Sequence, residues 1–292
     1  MDNDDAIVGT ILSRRDAFAL LGRAGLALGF GGLLTHDADA TFQAQAQAHQ
    51  AVKLVASPAL TEGPFFVDEK LNRRDLKAGT TRAAVVDAVP LALELTVYRI
   101  VEGKVAPFEG VTVDVWHCDA HGVYSDEDQP MNFERTGGQK WLRGYQTTDA
   151  KGRVDFETIF PGWYQGRTVH IHFKVRQKGA DGGTKEFTSQ LFFDDKLADA
   201  VFAHAPYRPS TNRDVTNEND GIYGERQVDG TAAGEKLLPT ITKTADGKGY
   251  VAKFAIALTD SSLRAGGRGH GGPGGPGGPP PGGFGGPPPD WP

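Results

Sequence analysis

The sequence predicts an all-β fold: an antiparallel β-sandwich with a short N-terminal helix and a disordered C-terminal tail. Three observations lead there. Short segments alternate apolar and polar residues, turns rich in Gly and Pro separate them, and no helix-period segment falls inside 85–200. In chain order, Leu91, Leu93, Leu95 and Val97 share one face of a half-buried strand. Val111, Val113 and Val115 repeat the pattern, then Val154, Phe156 and Thr158, then Val169, Ile171, Phe173 and Val175. Gln190–Phe193 and Val251–Leu258 complete the set. The breaks fall at Glu109-Gly110, His121-Gly122, Lys151-Gly152, Pro161-Gly162, Gly182-Gly183, Asp220-Gly221 and Asp246-Gly247.

Composition sets the outer limits. With 39% hydrophobic and 23% charged residues, the chain has enough apolar material for a core. The formal charge of -6, with no Lys/Arg cluster, argues against a nucleic-acid partner. The single cysteine, Cys118, excludes an internal disulfide and a four-cysteine zinc site.

The ends read as appendages. Arg14-Arg15 ahead of a weakly hydrophobic stretch reaching Leu34 resembles a twin-arginine export signal, and Ala38-Asp39-Ala40 offers a cleavage site. The expectation is a signal over 1–40, export beyond the cytoplasm, and no transmembrane segment in the mature chain, because the uncharged run 24–34 is too short to span a bilayer. Residues 41–57 are rich in Ala and Gln and read as a helical lead-in. Residues 58–263 form the folded domain. Residues 264–292, dominated by Gly and Pro, have little to bury and are expected to be disordered.

The chemistry gathers around Arg167-Thr168-Val169-His170-Ile171-His172. On a strand, alternate residues point the same way and lie about 7 Å apart, so His170 and His172 share a face opposite Val169, Ile171 and Phe173. Taken alone, such a pair is more often two surface histidines than a metal site. Tyr124 follows one strand and Tyr164 precedes the histidine strand, each at a tight turn, where a tyrosine is commonly a rim contact. Taken together, two phenolates and two neutral imidazoles suit a trivalent iron and leave it with one net positive charge.

The segments Thr61-Glu62-Gly63-Pro64-Phe65-Phe66, Val113–Asp119, Gly122–Ser125, Leu142–Asp149, Pro161-Gly162-Trp163-Tyr164 with Arg167-x-x-His170-x-His172, and Gln190–Phe193 resemble the intradiol ring-cleavage dioxygenases. Within that family they look most like secreted relatives of the protocatechuate 3,4-dioxygenase subunits. The resemblance covers about 58–258 in one order. It implies a β-sandwich core and a non-haem Fe(III) held by Tyr124, Tyr164, His170 and His172. It implies Arg167 as the active-site arginine and Gln190 as a polar residue facing the substrate. Tyr164 would leave the metal when a catechol chelates it and would serve as a base. The implied reaction opens a catechol-type ring between its two hydroxylated carbons with O2, giving a cis,cis-muconate-type diacid. Two departures stand out. The long helical N-terminal segment of the catechol 1,2-dioxygenases is missing, so their dimer is not carried over and the oligomeric state stays open. Gln165 stands where the protocatechuate enzymes have a tryptophan.

Three competing readings are weighed. His117, Cys118 and His121 suggest a second metal site, but strand alternation sends His117 and Cys118 to opposite faces, and Cys118 is better read as a small buried hydrophobe. A zinc hydrolase on His170 and His172 would need a third ligand, and no HExxH motif supplies one. A secreted, non-catalytic binding module with the same fold is the remaining alternative. Finally, Arg167 lies three residues before His170, so regular alternation would aim it away from the histidines. A bend at Gln165-Gly166 is required if it is to reach a substrate.

Overall fold

The computed structural model describes residues 56–179 and 181–266. The export segment, nearly all of the lead-in and the tail beyond 266 lie outside the described residues. Among the described residues, ten strands form two five-stranded sheets. The first holds β1 (Pro90–Val101), β2 (Lys104–Pro107), β5 (Arg153–Ile159), β8 (Thr240–Lys243) and β9 (Tyr250–Thr259). The second runs in the order β10 (Arg264–Ala265), β7 (Thr184–Phe192), β6 (His170–Lys178), β3 (Thr112–Trp116) and β4 (Arg143–Thr147).

The alternation seen in the sequence is what fills the core. Leu91, Leu93, Leu95 and Val97 of β1 are buried, as are Val154 and Phe156 of β5. They join Val113 and Val115 of β3, Ile171, Phe173 and Val175 of β6, and Ile256 and Leu258 of β9 in one apolar cluster drawn from both sheets. Each such side chain, fully buried, contributes about 1.5–3 kcal/mol relative to exposure.

Three expectations need correction. The strands are not all antiparallel. β1 and β9 pair in parallel from Leu91↔Tyr250 to Ile100↔Thr259. Parallel neighbours need a long crossover, and here most of the domain separates the two strands. Helix also intrudes on the stretch 85–200: α1 (Ala83–Val86) runs into its start, and α2 (Asp195–Phe202) into its end. α2 is capped by Asp194, whose carboxylate accepts the Leu197 N–H, and it buries Ala198, Val201 and Phe202. Finally, β2, β4, β8 and β10 were invisible to periodicity: none carries an apolar alternation, and β2, β8 and β10 are mostly exposed.

Candidate functional site

At one end of the second sheet a row of paired residues crosses four strands: Gln190 on β7, His172 on β6, Trp116 on β3 and Arg143 on β4. Residues paired this way face the same side. His170, two residues back along β6, shares that face. The opposite face of β6 points Ile171 and Phe173 into the core.

The histidine face is not open to solvent. His170 is 2% exposed and His172 1%. The Thr61–Phe66 segment lies across it, so that a Cβ added at Gly63 would meet His172 Cε1 at 3.3 Å. Three anchors hold this strap. Gln190 Nε2 donates to the Thr61 carbonyl at 3.0 Å. The Lys174 ammonium pairs with Glu62 and sits 3.9 Å from the centre of the Phe66 ring. Arg143 Nη1 donates to the Phe65 carbonyl at 2.6 Å.

The two tyrosines come from loops that pack on each other. A Cβ at Gly122 would strike the Trp163 carbonyl and Tyr164 Cβ, so only glycine lets the loops approach so closely. Tyr124 is held at both backbone groups by one side chain: Asn132 Oδ1 accepts its N–H at 2.7 Å and Nδ2 donates to its carbonyl at 2.9 Å. The Phe65 ring stacks on that of Tyr124 at 4.4 Å, and Trp116 lies flat on His172 at 4.9 Å with 6° between planes.

The donors meet in one place. His170 Nε2 lies 3.1 Å from His172 Nε2 and 3.1 Å from Tyr164 Oη. Tyr124 and Tyr164 have ring centres 5.7 Å apart. His170 Nδ1 donates to the Thr168 carbonyl at 2.6 Å, which turns the Nε2 lone pair toward the cluster, as expected of an oriented ligand. Tyr124 Oη is buried and has no hydrogen-bond partner. Burial, with Arg167 nearby, pulls His170 down to about 3, and burial beside His170 pulls His172 well below its ordinary value, so both are neutral imidazoles at pH 7. Burial pushes the Tyr164 phenol up to about 12 and Tyr124 well above its usual range. Uncharged imidazoles and two phenols, one of them with an unpartnered oxygen, fit a cation that would ionise those phenols on binding. Among the described residues no three His, Cys, Asp or Glu side chains gather. The oxygen donor beside the histidine pair is phenolic, Tyr164 Oη at 3.1 Å from His170 Nε2.

Arg167 and Gln190 come to the same cluster. Gly166 has φ +85°, and Arg167 lies ahead of β6, outside its regular alternation. The guanidinium donates to Gln190 Oε1 at 2.7 Å and to Asp220 Oδ2 at 2.8 Å. Burial alone would raise the Asp220 carboxyl, but the Arg167 charge and several N–H donors outweigh it and hold the pKa below its usual value. Gln165 is exposed.

His117, Cys118 and His121 do not form a second centre. Both ring nitrogens of buried His117 are satisfied, by the Cys118 carbonyl at 2.8 Å and Thr158 Oγ1 at 2.7 Å. Cys118 is buried as expected, packed with Phe65, Trp116 and Tyr124, and its Sγ faces the Gly162 carbonyl.

Sequence reasoning gave no role to Asn132, Arg143, Asp220 or Trp116. Arg143 carried a readable signal, a charge entering an otherwise neutral strand. Asn132 and Asp220 sit in irregular loops and carried none.

A family model described as Dioxygenase matches residues 61–228. A chlorocatechol 1,2-dioxygenase of Cupriavidus pinatubonensis is 31% identical over 158 residues, covering 48% of this chain and 55% of its own. The catechol 1,2-dioxygenase 1 of Acinetobacter lwoffii is 28% identical over 167 residues, covering 48% and 49%. The chain thus spans about half the length of the curated relatives it matches. Among solved structures, an intradiol ring-cleavage dioxygenase from Tetranychus urticae superposes with a TM-score of 0.56 at 26% identity, covering 70% of this chain and 94% of that one.

Proposed function

The chain belongs to the intradiol ring-cleavage dioxygenase family, and from that premise we propose that it opens a catechol-type ring between its two hydroxylated carbons with O2, yielding a cis,cis-muconate-type diacid. We assign the centre to a non-haem Fe(III) held by Tyr124, Tyr164, His170 and His172. The observation that carries the reading is the meeting of His170 Nε2, His172 Nε2 and Tyr164 Oη at 3.1 Å spacings beside the unpartnered Tyr124 Oη. When bound, Fe(III) supplies a Lewis-acidic point that gathers both catechol oxygens and makes the ring reactive toward O2.

The chain's own groups do the rest. Tyr164 is the more accessible of the two tyrosines, and its Oη, ionised by the metal, would be the base for a substrate hydroxyl proton. Phe65, Phe66 and Trp116 keep water from the histidine face. Arg167, fixed by Asp220 and Gln190, places positive charge where the ring gains electron density; because it is held before the substrate arrives, it needs no reorganisation during the reaction. The shared core supports reading the two sheets as a β-sandwich. The twin arginines support export, and among the described residues no helix is long and apolar enough to cross a membrane.

The test uses the full chain supplied with Fe(III). We expect a red-brown protein, from phenolate-to-iron charge transfer, that converts catechol to a muconate in air. A protein that neither takes up Fe(III) nor forms product overturns the reading.

A further inference from the structure

Arg143 is 2% exposed and stands at the closed end of the row that begins with Gln190. Its donors go to neutral oxygens: Nε to Ser125 Oγ at 3.0 Å and the Ser125 carbonyl at 3.1 Å, Nη2 to that carbonyl at 2.6 Å, and Nη1 to the Phe65 carbonyl at 2.6 Å. Among the described residues no carboxylate forms an ion pair with it. Glu69, on the strap side, pairs through Oε2 with Lys140 at 2.7 Å. A buried guanidinium without a counter-ion is costly, so its presence calls for a reason.

The two carbonyls it joins supply one. Ser125 follows Tyr124 directly, and Phe65 stacks on the Tyr124 ring. These segments are far apart in sequence, and only a planar fork with donors on two edges spans both acceptors; an ammonium on a flexible stem does not hold the same geometry. Asn132 fixes the Tyr124 backbone from the other side, so the ring direction depends on the Phe65 stack and therefore on Arg143.

We propose that Arg143 is a positioning residue for Tyr124: its guanidinium ties the carbonyl of Ser125, directly after Tyr124, to that of Phe65, whose ring stacks on Tyr124. The positioning role stands on geometry alone, and only its effect on Fe(III) uptake rests on the Fe(III) reading.

The experiment compares wild type, R143K, R143A and F65L in the full chain. Near-UV circular dichroism of the metal-free proteins reads the Phe65–Tyr124 environment. Equilibrium dialysis with Fe(III) alone, followed by the visible charge-transfer band, reads the ligand. R143K is expected to fold cooperatively and to show a near-UV change like that of F65L. Its Fe(III) affinity should fall about tenfold or more, the scale set by losing an outer partner of a metal ligand, and its band should be displaced. Guanidinium ion added to R143A should restore affinity and band position in part. A near-UV spectrum and band in R143K identical to wild type overturn the proposal. If R143A does not fold, R143K decides. If wild type takes up no Fe(III), the iron reading fails, while the metal-free spectra still decide the positioning role.

Discussion

Arg167 illustrates how one side chain serves two masters. Its guanidinium faces the site through Gln190 but is also the ion-pair partner of buried Asp220, which further accepts N–H bonds from Thr168, Ile222 and Tyr223. Arg167→Ala removes none of the four proposed ligands, so Fe(III) content and colour should persist, while muconate formation should fall by about 10² or more, as when one preorganised stabilising group is lost. Iron content and turnover on one sample check this, and full activity would take Arg167 out of the reaction. His117 offers a test of stability instead. Burial holds it down at about 4 against an ordinary 6.5, so the unfolded chain binds the proton more readily. Its contribution to stability is therefore intact above pH 6.5 and drains away as pH falls toward 4. At pH 7 wild type should exceed His117→Gln in stability, and acidification to pH 4 should narrow that gap by up to about 3 kcal/mol. Urea midpoints of both proteins across that range supply the measurement.

At the level of elements, the loop after Tyr124 carries more than its sequence suggests. The 3₁₀ turn Pro130–Asn132 ends at Phe133 with φ 60°, a conformation an aromatic residue seldom adopts, and it delivers Asn132 onto the Tyr124 backbone. Thr136 Oγ1 adds a bond to the same carbonyl at 2.7 Å. Asn132→Ala leaves a buried N–H without its partner, and a cost of about 1–3 kcal/mol is expected, with Fe(III) retained less well. Thermal unfolding and dialysis on the variant would expose a smaller role. This loop also marks where the sequence stopped being legible. The histidine strand was readable because Ile171 and Phe173 oppose His170 and His172 with period two, and the two tyrosines because they sit at Gly-marked turns. Asn132 was not, since a side chain that mimics a neighbouring backbone leaves no periodic trace. The exposed strands β2 and β8 were missed for the same reason: their bonds are backbone bonds and their side chains are free to vary. The burial of the histidine face was also unreadable, because the strap that covers it comes from over a hundred residues upstream.

For the molecule as a whole, the central surprise is β9, which lies between β1 and β8 in the first sheet and adds Ala252, Ile256 and Leu258 to the core between the sheets. Local alternation revealed that it is a strand but not its direction, since period two is the same read either way. A chain ending at Lys248 loses that strand, and we expect it to lack a cooperative thermal transition and to elute as an aggregate in gel filtration, even though every proposed ligand is retained. Soluble, cooperatively melting protein from that truncation would mean that the fold does not depend on β9. The parallel pairing of β1 with β9 also has a consequence in time. Among the described residues β1 is the first long strand to be synthesised and β9 the last, so β1 waits exposed along that edge until β9 has been made. Closing such a distant contact is slow, and the waiting edge is open to the wrong partner.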